Sequence, residues 1–173
     1  MDALVGQLVA SIPKDIQDNT YIVFLGDNGT VKWSQPSPPL QEGRVKAPLY
    51  TGGVEVPLII TGPKIETGKV IQPLAHVTDF FSTVLELAGI NYQSKSPLTG
   101  VSMVPYLKGE QHLNPRQTVY SYVTLMGNKL GIKNQQYKLT IQDKKEEFYD
   151  YQKDLLEVNP LPIGDLGGDD LKN

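Results

Sequence analysis

Apolar side chains at Leu4, Val5, Leu8, Val9 and Ile12 recur at helical spacing and stop at Pro13, which predicts a short amphipathic helix. Asp18-Asn19 marks a turn. Residues 20–25 form an apolar run that reads as a strand buried on both faces, the texture of a parallel sheet. Across 30–47 the periodicity disappears. Pro36, Pro38 and Pro39, with Pro48 just beyond, make this a long loop, and long loops in compact domains are usually functional or disordered. Residues 54–60 read as a second buried strand, with Pro57 marking an edge or bulge and Thr61-Gly62-Pro63 ending it. Val77, Phe80, Phe81, Val84, Leu85 and Ala88 form one stripe of a helix capped by Thr78 or Asp79 and stopped at Gly89. A shorter helical turn is expected within 100–109.

After Pro115 the texture changes. Segments 118–125, 129–133, 137–141 and 147–151 read as short strands, separated by turn signals at Gly127-Asn128 and Asp143-Lys144-Lys145. This pattern predicts an antiparallel meander. The tail from Pro160, with Gly167-Gly168-Asp169-Asp170, reads as flexible. No internal repeat is visible.

Composition narrows the function classes. The 173 residues can hold one domain, or one with a small second one. A net charge of -3 without basic clustering argues against a nucleic-acid surface. The absence of cysteine removes disulfides, zinc-thiolate sites and thiol nucleophiles together. No apolar run approaches the length of a membrane span. The first residues lack the basic start and apolar core of a signal peptide. Either a cytoplasmic protein or a start further upstream accounts for that, and a periplasmic or secreted location follows if the full-length protein carries an upstream signal peptide.

The candidate chemistry begins where the first apolar run ends, at Asp27-Asn28-Gly29. Carboxylate and amide oxygens at the C-terminal end of a strand suit Ca²⁺ or Mg²⁺. The same triplet is also an ordinary turn sequence. Lys46 follows 18 residues after Asn28 and could pair with an oxyanion held by the same metal; a lone lysine is more often a solvated surface charge. Gly52-Gly53 permits close backbone approach, or simply turns the loop into the next strand. His76 reads as structural, His112 as solvated, and Glu146-Glu147 as a solvated face.

In order along the chain these segments resemble the C-terminal half of the sulfatases, arylsulfatase-like members of the alkaline-phosphatase superfamily. Residues 18–29 look like the family's D-N-T, strand, D-N-G segment. Residues 46–57 look like its lysine, aromatic, Glu-Gly-Gly, Arg, Pro segment. Residues 76–89 look like the helix that follows, Gly100-Val101-Ser102 and Leu107-Lys108-Gly109 like the next landmark, and Tyr137-Lys138-Leu139 with Glu147-Phe148-Tyr149-Asp150 like the strands of the small terminal sheet. The resemblance implies a fold class of α/β: a partial alkaline-phosphatase-like mixed sheet with flanking helices over 1–112, then a small antiparallel sheet with a flexible tail over 113–173. It implies Asp27 and Asn28 as two Ca²⁺ ligands and Lys46 as the catalytic, substrate-binding contact to sulfate. The chemistry implied is sulfate ester hydrolysis, in which a formylglycine hydrate made from Cys or Ser attacks sulfur.

The chain also departs from the pattern. Thr51 stands where the family usually has Glu, and Glu55 where it usually has Arg. Ser34-Gln35-Pro36-Ser37-Pro38 mimics the serine form of the nucleophile motif but lacks its arginine and falls after the D-N-G segment. The expectation is therefore the C-terminal part of a sulfatase, inactive as an isolated chain because the nucleophile segment is absent, with Ca²⁺ bound weakly or not at all. Self-association, or pairing with an N-terminal sulfatase segment, is expected to cover the exposed apolar surface. The substrate class is a sulfated small molecule or glycan. A sulfated-glycan-binding remnant and a metal-dependent phosphoesterase relative stay open beside that reading.

Overall fold

A computed structural model describes residues 1–30, 44, 49–93, 95–110, 116–124 and 127–163. Helix α1 spans Asp2–Ala10 and α2 Lys14–Gln17, followed by strand β1 at Ile22–Leu25. The long loop expected over 30–47 lies almost wholly outside the described residues, and the next described elements are α3 at Thr51–Val54 and β2 at Leu58–Thr61. Helix α4 covers Asp79–Leu87 and α5 Val104–Leu107. Strands β3 (Val119–Val123), β4 (Lys129–Lys133), β5 (Tyr137–Gln142) and β6 (Lys145–Asp150) complete the order.

Among the described residues the fold is mixed α/β with two antiparallel sheets, one of two strands in the order β1-β2 and one of four in the order β3-β4-β5-β6. Leu25 pairs with Leu58 and Ile22 with Thr61. The parallel texture expected for 20–25 is thus not what these residues make: β1 runs antiparallel to β2 and is half-buried, not buried on both faces. The second strand is also shorter than expected. Val54 belongs to α3, because Tyr50 O accepts from both Gly53 N and Val54 N and closes a helical turn before extended backbone begins at Glu55.

The C-terminal meander follows the expected order, and its β5–β6 hairpin turns on Asp143 and Lys144, both with positive φ (51° and 73°). Two such residues in a two-residue loop match the right-handed twist of the strands. The expected break near residue 112 falls within 111–115, outside the described residues. The tail is anchored at its start, since Leu161 N donates to Phe148 O at 2.7 Å.

The α4 stripe does not face a core. Val77 is 66% and Phe81 49% exposed, while Asp79 and Thr83 on the other side are 1%. Leu4 and Leu8 of α1 are likewise exposed, and no residue of α1 is buried. The buried apolar residues instead sit around α5 and the C-terminal sheet: Leu49, Leu74, Met103, Val104, Tyr106, Leu107, Phe148 and Tyr149. Gly89 stops α4 as expected, with φ 67°.

The inward polar side of α4 is the centre of a buried network. The Asp79 carboxylate accepts from His76 N and Val101 N, each at 2.8 Å. It also takes a two-pronged contact from Arg116, with Nε to Oδ2 at 2.6 Å and Nη2 to Oδ1. Arg116 donates further to Thr118 O and Thr99 O. The Thr83 hydroxyl donates to Asp79 O and accepts from Met103 N. His76 is structural as expected: its Nε2 donates to Tyr120 O at 3.0 Å, and its Nδ1 lies 2.8 Å from Thr78 Oγ1.

Candidate functional site

Strand β1 delivers Asp27 and Asn28 to an exposed position just beyond its C-terminal end. Asn28 Nδ2 donates to Asp27 Oδ2 at 2.8 Å, so the two side chains lie together. The backbone beneath them is fixed. Gly26 N donates to Pro57 O, Gly29 N to Gly53 O and Thr30 N to Gly52 O, at 3.0, 3.3 and 3.0 Å. A Cβ on Gly29 would lie 2.3 Å from Gly52 O, so this close backbone contact needs glycine. The D-N-G and Gly-Gly segments, far apart in the chain, are thereby one unit.

That unit rests on the C-terminal sheet. Its supporting face is polar: β5 points Lys138, Thr140 and Gln142 one way by strand alternation, and Lys138 and Thr140 are buried. Gln142 Oε1 accepts from Leu49 N at 3.1 Å. Glu157 Oε2 accepts from Thr51 N at 2.7 Å, and the same carboxylate pairs with Lys138 Nζ. Tyr50 donates its hydroxyl to Glu147, and Leu49 packs over Gly131. Arg44 stacks on the Tyr50 ring at 4.3 Å from its centroid and donates to the Tyr149 hydroxyl at 3.3 Å. Lys133 and the Tyr151 hydroxyl both hold Glu55.

Electrostatics follow burial. Desolvation pushes Lys138 below the ordinary lysine range, with Glu157 opposing the shift. Burial raises the Glu147 carboxyl, but hydrogen bonds from Lys145 and Tyr50 outweigh it and hold the group below the ordinary carboxylate value. Glu147 is buried and doubly bonded, so the solvated face expected for Glu146-Glu147 holds only for Glu146. The reason is strand alternation, which turns Glu147 onto the face covered by Tyr50.

Of the three residues expected to form the site, Asp27 and Asn28 are brought together; Lys46 lies outside the described residues. So do His112 and the Ser34–Pro38 mimic. Thr51 and Glu55, the positions that depart from the sulfatase pattern, are both held by the C-terminal sheet. Glu157, Arg116 and Arg44 were not evident as polar anchors from sequence, since each acts on a residue 37 to 106 positions away.

Ca²⁺ takes about six to eight oxygen ligands. Asp27 and Asn28 have the right donor chemistry and adjacency, and they supply a minority of that set. Among the described residues no group of three His, Cys, Asp or Glu side chains converges on a common point. A separate apolar cavity of about 610 Å³ lies between β2, residues 65–75 and α5, lined by Leu58, Ile60, Ile65, Val70, Met103 and Tyr106.

Comparison with known proteins places the chain in a family. The Sulfatase family model matches residues 1–90. The chain is 30% identical to the choline-sulfatase of Rhizobium meliloti (strain 1021) over 93% of its own length and 31% of that protein's. It is 32% identical to the N-acetylgalactosamine-6-sulfatase of Canis lupus familiaris over 80% of its length and 27% of that protein's. The solved structure of Ps i-CgsB in complex with k-i-k-neocarrahexaose superposes with a TM-score of 0.78 at 28% identity, covering 92% of this chain and 36% of that one. The chain belongs to the sulfatase family. It spans about a third or less of the length of these relatives, and its fold is the corresponding piece of the alkaline-phosphatase-like architecture they share.

Proposed function

We propose that this chain is the C-terminal part of a sulfate ester hydrolase, in which Asp27 and Asn28 supply two ligands of a Ca²⁺ ion and Lys46 contacts the sulfate. The observation that carries the reading is the Asp27–Asn28 pair on a strand end, held by the Gly52-Gly53 backbone within the segment that matches the family. When bound, the ion supplies positive charge where the leaving ester oxygen and the sulfate oxygens gain negative charge. Asp27 and Asn28 would hold that ion through their side-chain oxygens, and the backbone bonds from Gly29 N and Thr30 N to Gly53 O and Gly52 O limit the reorganisation needed to bind it. The 173 residues contain no cysteine, so a Cys-derived nucleophile would come from the portion of the relatives that this chain does not span.

The substrate class that fits is a sulfated small molecule or glycan. Support comes from relatives named for amino-sugar sulfates and choline sulfate, and from the solved complex with a neocarrahexaose. In the proposed complete enzyme the exposed Val77, Phe81, Leu4 and Leu8 would be covered by the N-terminal segment; in this chain alone they favour self-association.

The test joins the chain to the coding sequence upstream of the Met1 codon and assays 4-nitrophenyl sulfate against 4-nitrophenyl phosphate. Preferential sulfate hydrolysis, lost in Asp27→Ala, supports the reading. Preferential phosphate hydrolysis overturns it in favour of a phosphoesterase. Saturable binding of a sulfated oligosaccharide without turnover overturns it in favour of a binding remnant.

A further inference from the structure

We propose that Glu157, on the C-terminal sheet side of the molecule, is a positioning residue that sets the Asp27–Asn28 pair through the single helical turn Thr51–Val54. The proposal rests on the metal-ligand reading above for its functional meaning. Its structural content stands on described contacts alone.

The path has three links. Glu157 is fully buried, adopts φ 56°, and accepts from Thr51 N at 2.7 Å. That bond fixes the first backbone donor of α3, which no intrahelical acceptor can satisfy. The turn then presents Gly52 O and Gly53 O to Thr30 N and Gly29 N. Those two amides directly follow Asn28, so the carbonyls set where Asp27 and Asn28 stand. Lys138, buried on β5, pairs with the Glu157 carboxylate and holds it in place.

The far end of the turn is braced independently. Glu55, which immediately follows α3, accepts from the Tyr151 hydroxyl at 2.7 Å and pairs with Lys133 of β4. A buried ion pair is a costly way to stabilise a fold, since hydrophobic replacements of similar volume are often neutral or better. Its geometric value lies in directing one carboxylate oxygen onto one backbone N–H. The terminal sheet thereby acts as a template for a loop about 100 residues earlier in the chain.

The experiment compares amide hydrogen exchange in two uncharged variants of the chain, Lys138→Met/Glu157→Gln and Lys138→Met/Glu157→Leu. Both delete the buried charges, and only the first keeps an acceptor for Thr51 N. The expected result is that Gly29 and Thr30 exchange about tenfold faster in the Leu variant than in the Gln variant, the scale of one lost buried hydrogen bond. Val101 and Met103, held by Asp79 and Thr83, exchange equally in the two. Equal exchange at Gly29 and Thr30 overturns the proposal, and so does equal acceleration at all four amides, which marks a general loss of stability.

Tyr151→Phe is the milder second variant. It removes one bond to Glu55 while keeping the ring, and it is expected to speed Gly29 and Thr30 severalfold without moving Val101; no local change there also counts against the proposal. The functional readout is a CaCl₂ titration followed by the amide shifts of Asn28 and Gly29, with the Leu variant requiring about tenfold more Ca²⁺ than the Gln variant. The exchange comparison contains no metal and can fail while Asp27 still binds Ca²⁺. A titration that Asp27→Ala leaves unaltered overturns the metal reading while the exchange pattern stands.

Discussion

Arg116→Met probes the buried network under α4. Asp79 is 1% exposed and receives Arg116 through Nε and Nη2, in addition to the backbone amides of His76 and Val101. Methionine keeps most of the stem's apolar contact and removes every charged donor. The Asp79 carboxylate then stays buried with two amide donors and no counter-charge. Breaking a buried pair in this one-sided way costs about 3–5 kcal/mol. For a chain of this size each kcal/mol moves Tm by about 2–4 °C, so the midpoint should fall by about 6–20 °C. Urea denaturation followed by circular dichroism would read the loss directly, as a lower midpoint with the slope unchanged. The companion variant Asp79→Asn/Arg116→Met removes both charges and should recover part of the loss. A single-variant loss below about 1 kcal/mol, the level of an exposed pair, would refute the assignment of this pair as a buried organiser. A double variant less stable than the single one would refute the uncompensated-charge explanation.

Three further outcomes follow from other parts of the structure. Gly29→Ala should destabilise by about 1–3 kcal/mol and abolish the Ca²⁺-dependent amide shifts, because its Cβ would lie 2.3 Å from Gly52 O; an unchanged titration would show that the backbone contact is dispensable. Glu147 has a folded-state pKa held below its ordinary value, so its contribution is present above about pH 4.3 and is lost as pH falls through the lower, folded-state value. The stability difference between the native chain and Glu147→Gln should therefore shrink between pH 6 and about pH 3 in urea titrations, and a difference that grows on acidification would contradict the sign. Val77→Ser should lower the sedimentation-derived mass at high concentration while changing the unfolding free energy from urea titration by no more than about 0.5 kcal/mol, since the side chain is exposed.

Much of the architecture was legible locally. The α4 boundaries, the α5 turn and the four-strand meander follow from apolar period and turn residues, which act over a few positions. The β5–β6 hairpin is the clearest case: Asp143-Lys144 sits between two alternating runs, and no distant contact is needed to place it. Asp27 and Asn28 stood out as candidates because a pair of oxygen-bearing side chains at a strand end is also a local pattern. Local reading failed where the answer depended on what lies opposite. The apolar stripe of α4 was legible, but its exposure was not. Periodicity reports which side is apolar and says nothing about whether a partner covers it.

By itself, then, the amino-acid order determined the long α4 helix, the apolar strands β1 and β2 in outline, the terminal meander, and the ordered motifs that resemble the sulfatases. The tertiary structure decided that β1 runs antiparallel to β2, that Thr51–Val54 coils before the second strand, and that Glu147 and Glu157 are buried supports and not solvated charges. The physical reason is range. Helical period and turn chemistry are settled by neighbours within one or two turns, whereas strand direction and the burial of a carboxylate depend on partners about 30 to 100 residues away, such as Thr61 for Ile22 and Thr51 for Glu157.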